Sequence, residues 1–372
     1  MTAKSMHILW LSVREDLWKE IKGFADAFQR CGAQIVFVEP GTPQNVDIQE
    51  LIAKCGERPK LIVHPEPYWP ILPRGLAEVD IPTVGFQTDV YAYTRRRFLV
   101  SMLFDYTVLL HPGFEEAFRA AGHPAPMTLP LAVDPGEFYD SNEERVFEIA
   151  SVGRTNPLYK TRQAVLSELS REFKMNDWSR RYEPEEVPPV YRASKIVVNI
   201  PRDDYLIDVS MRYAEAMASG ALFLTRVPSE MTALGFEEGV HYCGYRDPRE
   251  IPGIARKYLN DEALRFRIAQ AGREKTLREH TYDAGVARLL ERLEEDNGEL
   301  LAPARAWTAS QVSLAYLDYF ASNRLFDCAG EELRGLMRRA SPDTLRALKI
   351  YGRARASWIR NWIRQQVSSS KR

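Results

Sequence analysis

Cysteine is scarce in this sequence. Four cysteines occur among 372 residues, at Cys31, Cys55, Cys243 and Cys328. None of them forms a CxxC pair, and none lies near a histidine at the spacing of metal ligands. This scatter excludes a disulfide framework and a cysteine-rich zinc site. We therefore expect free thiols, most of them buried, in a protein of a reducing compartment.

Long hydrophobic runs and a strong net charge are also missing. No apolar stretch approaches the roughly 18 residues that a membrane-spanning helix needs. The N-terminal stretch MTAKSMHILWLSV fits a first β-strand and lacks a signal-peptide cleavage site. The formal net charge of −1 gives no general attraction to nucleic acid or to anionic membranes. With 45% hydrophobic and 27% charged residues, we expect a soluble, cytoplasmic, globular protein.

The first part of the chain alternates strand and helix patterns. Amphipathic helices are predicted at residues 18–29 and 113–121, between apolar runs typical of strands. The strand-like runs are His7–Val13, Ala33–Pro40, Lys60–Pro67, Pro82–Asp89 and Tyr106–Pro112. This alternation predicts a parallel sheet with helices on both faces. The polar, proline-rich passage from His123 to Glu144 then favours a linker between domains.

The same alternation restarts after the linker. Predicted strands lie at Val146–Arg154, Lys195–Pro201, Ala221–Val227 and His241–Tyr245, and helices at 161–173, 248–259, 262–278 and 282–295. We therefore predict an α/β protein with two Rossmann-like domains, residues 1–143 and 144–296, that face a cleft. Ligands of open parallel sheets bind beyond the carboxyl ends of the strands, so the cleft is the expected site.

Residues 297–372 are predicted to form a separate, basic, helical extension. From Leu333 to Arg372 there are eleven Lys and Arg against one acid, a local charge of +10. Since the whole chain carries −1, the remainder carries about −11. Residues 345–367 place apolar side chains on one helical face and arginines partly opposite, which suits a peripheral contact with anionic lipid or an acidic partner. The alternative, which we favour, is a helix packed on the acidic bulk of the protein itself.

Two further motifs carry charge where strands end. In DVSMRYAEAMASGALFLT, Arg212 and Glu215 lie on one side of a predicted helix that ends at Gly220 before an apolar strand. A surface salt bridge accounts for this pair equally well. In SVGRTNPLYKTRQ, Gly153 permits a tight turn, while Arg154 and Lys160 bracket the loop before a helix. Such a loop can direct two cations at one anion, although solvated surface charge is the simpler alternative.

The order of these motifs resembles a known family. VGR…K, YRASKIVVNIP, RYAEAMASGALFLT and AGREKTLREHTY, within Ile149–Glu295, resemble the C-terminal half of retaining-type GT-B glycosyltransferases. The resemblance is closest to the CgeB-like, spore-maturation-type members, in which R-x-x-E-A-M-x-x-G recurs. The first half is similar more loosely, through PTVGFQTD, TVLLHPGFEEAFRAAG and LPLAVDPGEFY. The resemblance implies a metal-independent, retaining, hexosyltransferase-like enzyme that uses a nucleotide-diphosphate sugar, UDP- or GDP-linked, and no other cofactor.

The resemblance also implies roles for individual residues. Glu215 would accept hydrogen bonds from the ribose hydroxyls of the nucleotide. Arg154 and Lys160, beside Gly153, would hold the diphosphate and stabilise it as it leaves. Arg212 would assist at the phosphates or fix the helix that carries Glu215. The acceptor, whether a cell-surface glycan, a lipid, a protein or a small molecule, stays open.

The sequence departs from the family at one position. Related enzymes carry a glutamate eight residues before the position of Glu215, where this chain has Ile207 followed by Asp208. Asp208 is the candidate substitute, and the sugar and the stereochemical outcome stay open. A catalytically silent GT-B-like module that docks through its basic C-terminal helices is therefore the alternative function. Nucleic acid is not an expected partner, because the rest of the chain is acidic.

Candidates for acceptor chemistry lie in the first half. Asp89 follows a predicted buried strand, where a carboxylate can act as a base. His111 ends the next strand before Pro112, and His64 ends another. For Asp89 and His111, an ordinary loop or capping role is an equally good interpretation, and for His64 it is the better one.

Overall fold

The computed structural model describes residues 6–65, 71–91, 94–154, 159–201, 209–227 and 229–369, without the side chains of 94–96 and 362–369. The chain divides into two compact units. Unit 1 comprises Met1–Leu129 together with Leu289–Arg372, and unit 2 comprises Pro130–Arg288. This division differs from the expected boundaries at 143 and 296, because residues 130–143 group with unit 2 and the C-terminal helices group with unit 1.

Unit 1 contains a six-stranded parallel sheet. Its strands are β1 (His7–Trp10), β2 (Gln34–Phe37), β3 (Leu61–His64), β4 (Thr83–Gln87), β5 (Tyr106–Leu109) and β6 (Pro126–Thr128), in the order β2-β1-β3-β4-β5-β6. Its first helices are α1 (Lys19–Arg30), α2 (Ile48–Ala53), α3 (Thr94–Ser101) and α4 (Glu115–Ala120). The strand order reverses between β1 and β3, so strand ends on both sides of that point can take part in a site.

The C-terminal helices complete the core of unit 1. They are α11 (Ala309–Ser322), α12 (Phe326–Arg338) and α13 (Thr344–Ser369). Tyr316 and Phe320 of α11 lie in one buried apolar cluster with Leu72 and Leu103. The guanidinium of Arg305 donates to the buried carboxylate of Asp105 at 2.9 and 3.0 Å, which fixes the segment before α11. The expected separate extension is therefore an integral part of unit 1.

Unit 2 contains a four-stranded parallel sheet. Its strands are β7 (Phe147–Ala150), β8 (Ser194–Val198), β9 (Leu222–Arg226) and β10 (Cys243–Tyr245), in the order β10-β9-β8-β7. Its helices are α5 (Lys160–Glu172), α6 (Val187–Arg192), α7 (Arg212–Ala218), α8 (Ile251–Asn260) and α9 (Glu262–Glu279). The last helix, α10 (Tyr282–Glu295), spans the boundary between the two units in the sequence. Ile149, Ile196 and Leu222 form the centre of the apolar core.

Most predicted strands and helices are confirmed, with ends that differ by a few residues. The predicted linker is the main exception, because it contains β6, which pairs with β5. Pro126 begins this edge strand, a position where the missing amide hydrogen costs little, and its presence concealed the strand. The four cysteines are free thiols, as predicted, and Cys55 and Cys243 are buried. Among the helices of the described ranges, none is both long enough and apolar enough to cross a membrane.

Candidate functional site

In unit 2, polar groups gather at the carboxyl ends of β7 and β8. The chain leaves β7 through Ser151 and Val152 and reaches Gly153, whose φ of 152° is accessible to glycine and rarely to other residues. A Cβ atom at Gly153 would lie 2.7 Å from Nη2 of Arg212 and 3.1 Å from Nη1 of Arg162. The glycine therefore lets two guanidinium groups lie against the backbone of one turn.

Arg212 is fixed by groups from two strand ends. It is the first residue of α7, and its Nε donates to the carbonyl oxygen of Val152 at 2.8 Å. Its Nη1 donates to Oδ1 of Asn199 at 2.6 Å. Asn199, which directly follows β8, in turn donates to the hydroxyl of Thr225 on β9 at 3.0 Å. These bonds hold the guanidinium at the carboxyl ends of β7 and β8.

Arg162 supplies a second buried guanidinium, which the sequence analysis missed. Its side chain is 6% exposed, and it donates from Nε to the carbonyl oxygen of Ile200 at 2.7 Å and from Nη1 to that of Arg154 at 2.8 Å. Its Cζ also lies 4.1 Å from the centre of the Tyr159 ring. The sequence does contain a signal for this burial. Val165, Leu166 and Leu169 follow Arg162 at helical spacings of three, four and seven residues, which places Arg162 on the apolar face of α5.

Glu215 lies one turn beyond Arg212 on α7 and is only 8% exposed. Burial raises the pKa of Tyr191 on α6, while the charge of Arg212 opposes this rise and that of Glu215 adds to it. A carboxylate buried beside an arginine is typical of functional sites, although structural ion pairs share the feature. The predicted end of α7 is confirmed, since Gly220 follows the helix with a φ of 75°.

The other predicted donor-site residues border segments that the structure does not describe. Arg154 and Lys160 are exposed at either end of residues 155–158, and Lys160 begins α5. The hydrogen bond described for Arg154 involves its backbone: its carbonyl oxygen accepts from Nη1 of Arg162. Asp208, like Ile207, lies outside the described residues. The roles expected for Arg154, Lys160 and Asp208 therefore stay predictions.

In unit 1, Asp89 and His111 follow the adjacent strands β4 and β5, and Tyr91 joins them. The Tyr91 hydroxyl donates to Oδ1 of Asp89 at 3.1 Å, and its ring meets the His111 ring edge-on at 5.2 Å. Burial lowers the pKa of His111 to about 4, so the ring is neutral at neutral pH. In the described part of the chain, no hydrogen-bond partner meets its Nδ1.

Glu20 is a further acidic group near this cluster that the sequence analysis did not single out. It lies in the first turn of α1, and burial raises its pKa, with the charge of Asp89 raising it further. His64, in contrast, belongs to the apolar core. Its ring lies 5.3 Å from that of Phe104 and 5.9 Å from that of Tyr319, and burial lowers its pKa to about 3. These contacts favour packing for His64 over acceptor chemistry.

No three His, Cys, Asp or Glu side chains come together as a metal site within the described ranges. The sequence prediction of metal independence remains a prediction.

Comparisons with known proteins show what this chain is similar to. Residues 154–291 match a family model described as glycosyl transferase-like. Sucrose-phosphate synthase from Thermosynechococcus elongatus has a similar structure, with a TM-score of 0.56, 12% sequence identity, and coverage of 79% of this chain and 99% of that one. HepE from Anabaena, solved with UDP and glucose, has a TM-score of 0.55 and 14% sequence identity, and the likeness covers 78% of this chain and 100% of that one. A glycosyltransferase from Rickettsia africae has a TM-score of 0.56 and 11% sequence identity, and the likeness covers 78% of this chain and 98% of that one.

Curated protein sequences gave no match. At these low identities the structural likenesses establish the fold. The chain therefore has the two-domain α/β fold of GT-B glycosyltransferases, and its residues 154–291, which contain Arg162, Arg212 and Glu215, match the glycosyl transferase-like family.

Proposed function

We propose that this protein transfers a glycosyl group from a nucleotide-diphosphate sugar, UDP- or GDP-linked, to an acceptor. One observation carries the proposal: two guanidinium groups, of Arg162 and Arg212, are held at Gly153 beyond the end of β7, and both arginines belong to residues 154–291, which match the glycosyl transferase-like family. HepE, which shares the fold, was solved with UDP and with UDP-glucose.

The electrostatics suit a departing diphosphate. Breaking the bond between the sugar and the nucleotide leaves negative charge on the diphosphate oxygens, and fixed cations stabilise that charge without reorganising. Carbonyl oxygens already orient the guanidinium groups of Arg162 and Arg212, so little entropy is lost when an anion binds. We propose that these arginines, with Arg154 and Lys160 of the loop, replace a metal ion in this role.

The remaining assignments follow the same scheme. Glu215 would accept hydrogen bonds from the ribose hydroxyls, because an ionised carboxylate has acceptor oxygens for both of them. In unit 1, the neutral ring of His111 and the carboxylate of Asp89 would contact the transferred sugar or the acceptor. Retention of configuration, a hexosyl donor and membership of the CgeB-like branch complete the proposal.

The proposal is tested by titrating the protein with UDP, GDP, ADP, CMP and dTDP in EDTA, by thermal shift and calorimetry. A ligand of the native state raises the melting temperature by mass action. We expect one nucleoside diphosphate to bind, and Glu215→Ala to weaken that binding by about tenfold to a hundredfold, the effect of losing about 1.5–3 kcal/mol of charged hydrogen bonds. Glu168→Ala, at an exposed glutamate of α5 in the same unit, is the matched control and should bind normally.

Binding alone does not separate an enzyme from a silent module. The second measurement is release of the nucleoside diphosphate from the corresponding nucleotide sugar, with and without candidate acceptors. Turnover that Glu215→Ala reduces and Glu168→Ala leaves intact supports the transferase. Tight nucleotide binding without release for any nucleotide sugar of that base would instead support the silent module, and no binding at all would refute the donor site.

A further inference from the structure

Helix α13 presents two different faces along its first eighteen residues. On one face, Ala347 is fully buried and Ile350 and Tyr351 pack against it and the apolar clusters of α11 and α12. The ring of Trp358 lies 5.9 Å from that of Phe326 on α12, at the edge of the same face. These contacts fix α13 on unit 1 and therefore fix which of its residues point away from the protein.

A second apolar strip lies on the face that points away. Leu345, Leu348 and Ile359 are 71%, 44% and 43% exposed. The steps from 345 to 348 and from 348 to 359 are close to one and three helical turns, so the three side chains form a line about 21 Å long, at 1.5 Å per residue. Gly352 lies on the same line, and a Cβ atom there would meet nothing within 4 Å. The strip is therefore open along its length.

A row of cations runs beside this strip. Lys349, Arg353 and Arg360 are exposed, and their spacings of four and seven residues place them on one side of the apolar line. No acid occurs in the sequence after Asp343, and among the described residues no carboxylate pairs with these three cations. The charge of the row is therefore available to an external partner.

We propose that this outer face of α13, between Leu345 and Arg360, docks the protein on an anionic membrane surface. A narrow apolar line flanked by uncompensated cations is the pattern of a helix that lies in the membrane interface, where apolar side chains enter the acyl boundary and cations meet lipid headgroups. A lipid surface fits better than a protein partner. A one-residue-wide strip buries too little area for a stable protein interface, whereas headgroups supply negative charge along the whole row.

The test measures binding of the full-length protein to vesicles by co-sedimentation. Vesicles of phosphatidylcholine alone are compared with vesicles that also contain roughly 30–40% phosphatidylglycerol. The anionic lipid gives the vesicle surface the negative potential that attracts basic segments. We expect binding to the anionic vesicles only, and weaker binding as salt is raised.

Three variants make the test specific. Lys349→Gln/Arg353→Gln/Arg360→Gln removes the row, and at about 1 kcal/mol for each cation near the surface it should weaken binding at least about tenfold. Leu345→Ser/Leu348→Ser/Ile359→Ser removes the strip and should weaken binding similarly. The charge-matched control changes three exposed cations elsewhere, Lys54→Gln/Arg171→Gln/Arg267→Gln, and should bind as the wild type does.

Melting curves verify that each variant is folded, and Arg353→Lys/Arg360→Lys, which keeps the charge, should retain binding. The proposal is overturned if the wild type ignores anionic vesicles, or if the control weakens binding as much as the row variant does. It is also overturned if light scattering shows that the strip variants abolish a dimer while no vesicle binding occurs, because the face would then join two copies of the chain. Nucleotide binding in unit 2 is measured in parallel, so failure here is distinguishable from failure of the donor site.

Discussion

Replacing Gly153 by alanine should damage the candidate donor site through the backbone and through Arg212 together. An L-residue held at a φ of 152° costs about 1–3 kcal/mol. The added methyl carbon would lie 2.7 Å from Nη2 of Arg212, so the guanidinium must move and its bond to the carbonyl of Val152 weakens. A hydrogen bond to a charged group contributes about 1.5–3 kcal/mol, which brings the expected loss of stability to about 2.5–6 kcal/mol.

Calorimetry and chemical denaturation measure that loss, which corresponds to about 2–4 °C of melting temperature per kcal/mol for a unit of this size. Nucleotide affinity, measured by titration, should fall at least about tenfold, since the displaced guanidinium no longer faces the diphosphate. The matched control is Gly253→Ala in α8. There a Cβ atom meets nothing within 4 Å and the helix gains about 0.5–1 kcal/mol. A Gly153→Ala protein as stable as Gly253→Ala, with unchanged affinity, would refute the reasoning.

Three further outcomes are expected. Arg162→Lys keeps the charge but loses part of the paired donation from Nε and Nη2 to the carbonyl oxygen of Ile200, and its free energy of unfolding should fall by about 1.5–3 kcal/mol in urea denaturation. Arg162→Met should lose more stability, and titration should show that it also loses nucleotide affinity. Tyr213→Phe removes a buried hydroxyl that donates to the carbonyl of Leu131 at 2.7 Å. Its free energy of unfolding should fall by about 1–3 kcal/mol, while its nucleotide affinity should not change. His111 has its pKa lowered from 6.5 to about 4, so the folded state binds fewer protons than the unfolded state between these values. Stability should then fall as the pH is lowered from 6.5 towards 4, and His111→Gln should flatten the pH dependence of the melting temperature.

The strands and helices were predictable because their patterns are local. Apolar runs of four to seven residues between polar turns gave nine of the ten strands found in the described ranges, and helical periodicity gave the long helices of unit 2. The place of the C-terminal helices was not predictable. Their basic composition suggested a separate extension, but the contacts that join this segment to the rest of unit 1, such as Tyr316 with Pro73 and Arg305 with Asp105, link residues 200 or more positions apart. Nothing in a single sequence links positions at such a distance.

The site shows the same limit at a smaller scale. Gly153, Arg212 and Glu215 were singled out from their motifs and given roles by the resemblance, and the structure brings Gly153 and Arg212 together. Arg162 was missed because an arginine in a helix is ordinarily read as a solvated charge, and only its place in a buried stripe distinguishes it. Glu20 was missed as well, because its proximity to Asp89 depends on how α1 packs.

Unit 1 is assembled from both ends of the chain, and this affects the order in which a ribosome can complete the protein. When residue 129 has emerged, Leu72 and Leu103 still lack the side chains of α11 that cover them in the finished molecule. All of unit 2 is synthesised before α11 appears, which at about 5–20 residues per second leaves that apolar surface uncovered for roughly 10–40 s. During synthesis the whole six-stranded sheet of unit 1 is therefore a natural client for a ribosome-bound chaperone, and unit 2, although second in the sequence, is the first unit that can finish folding.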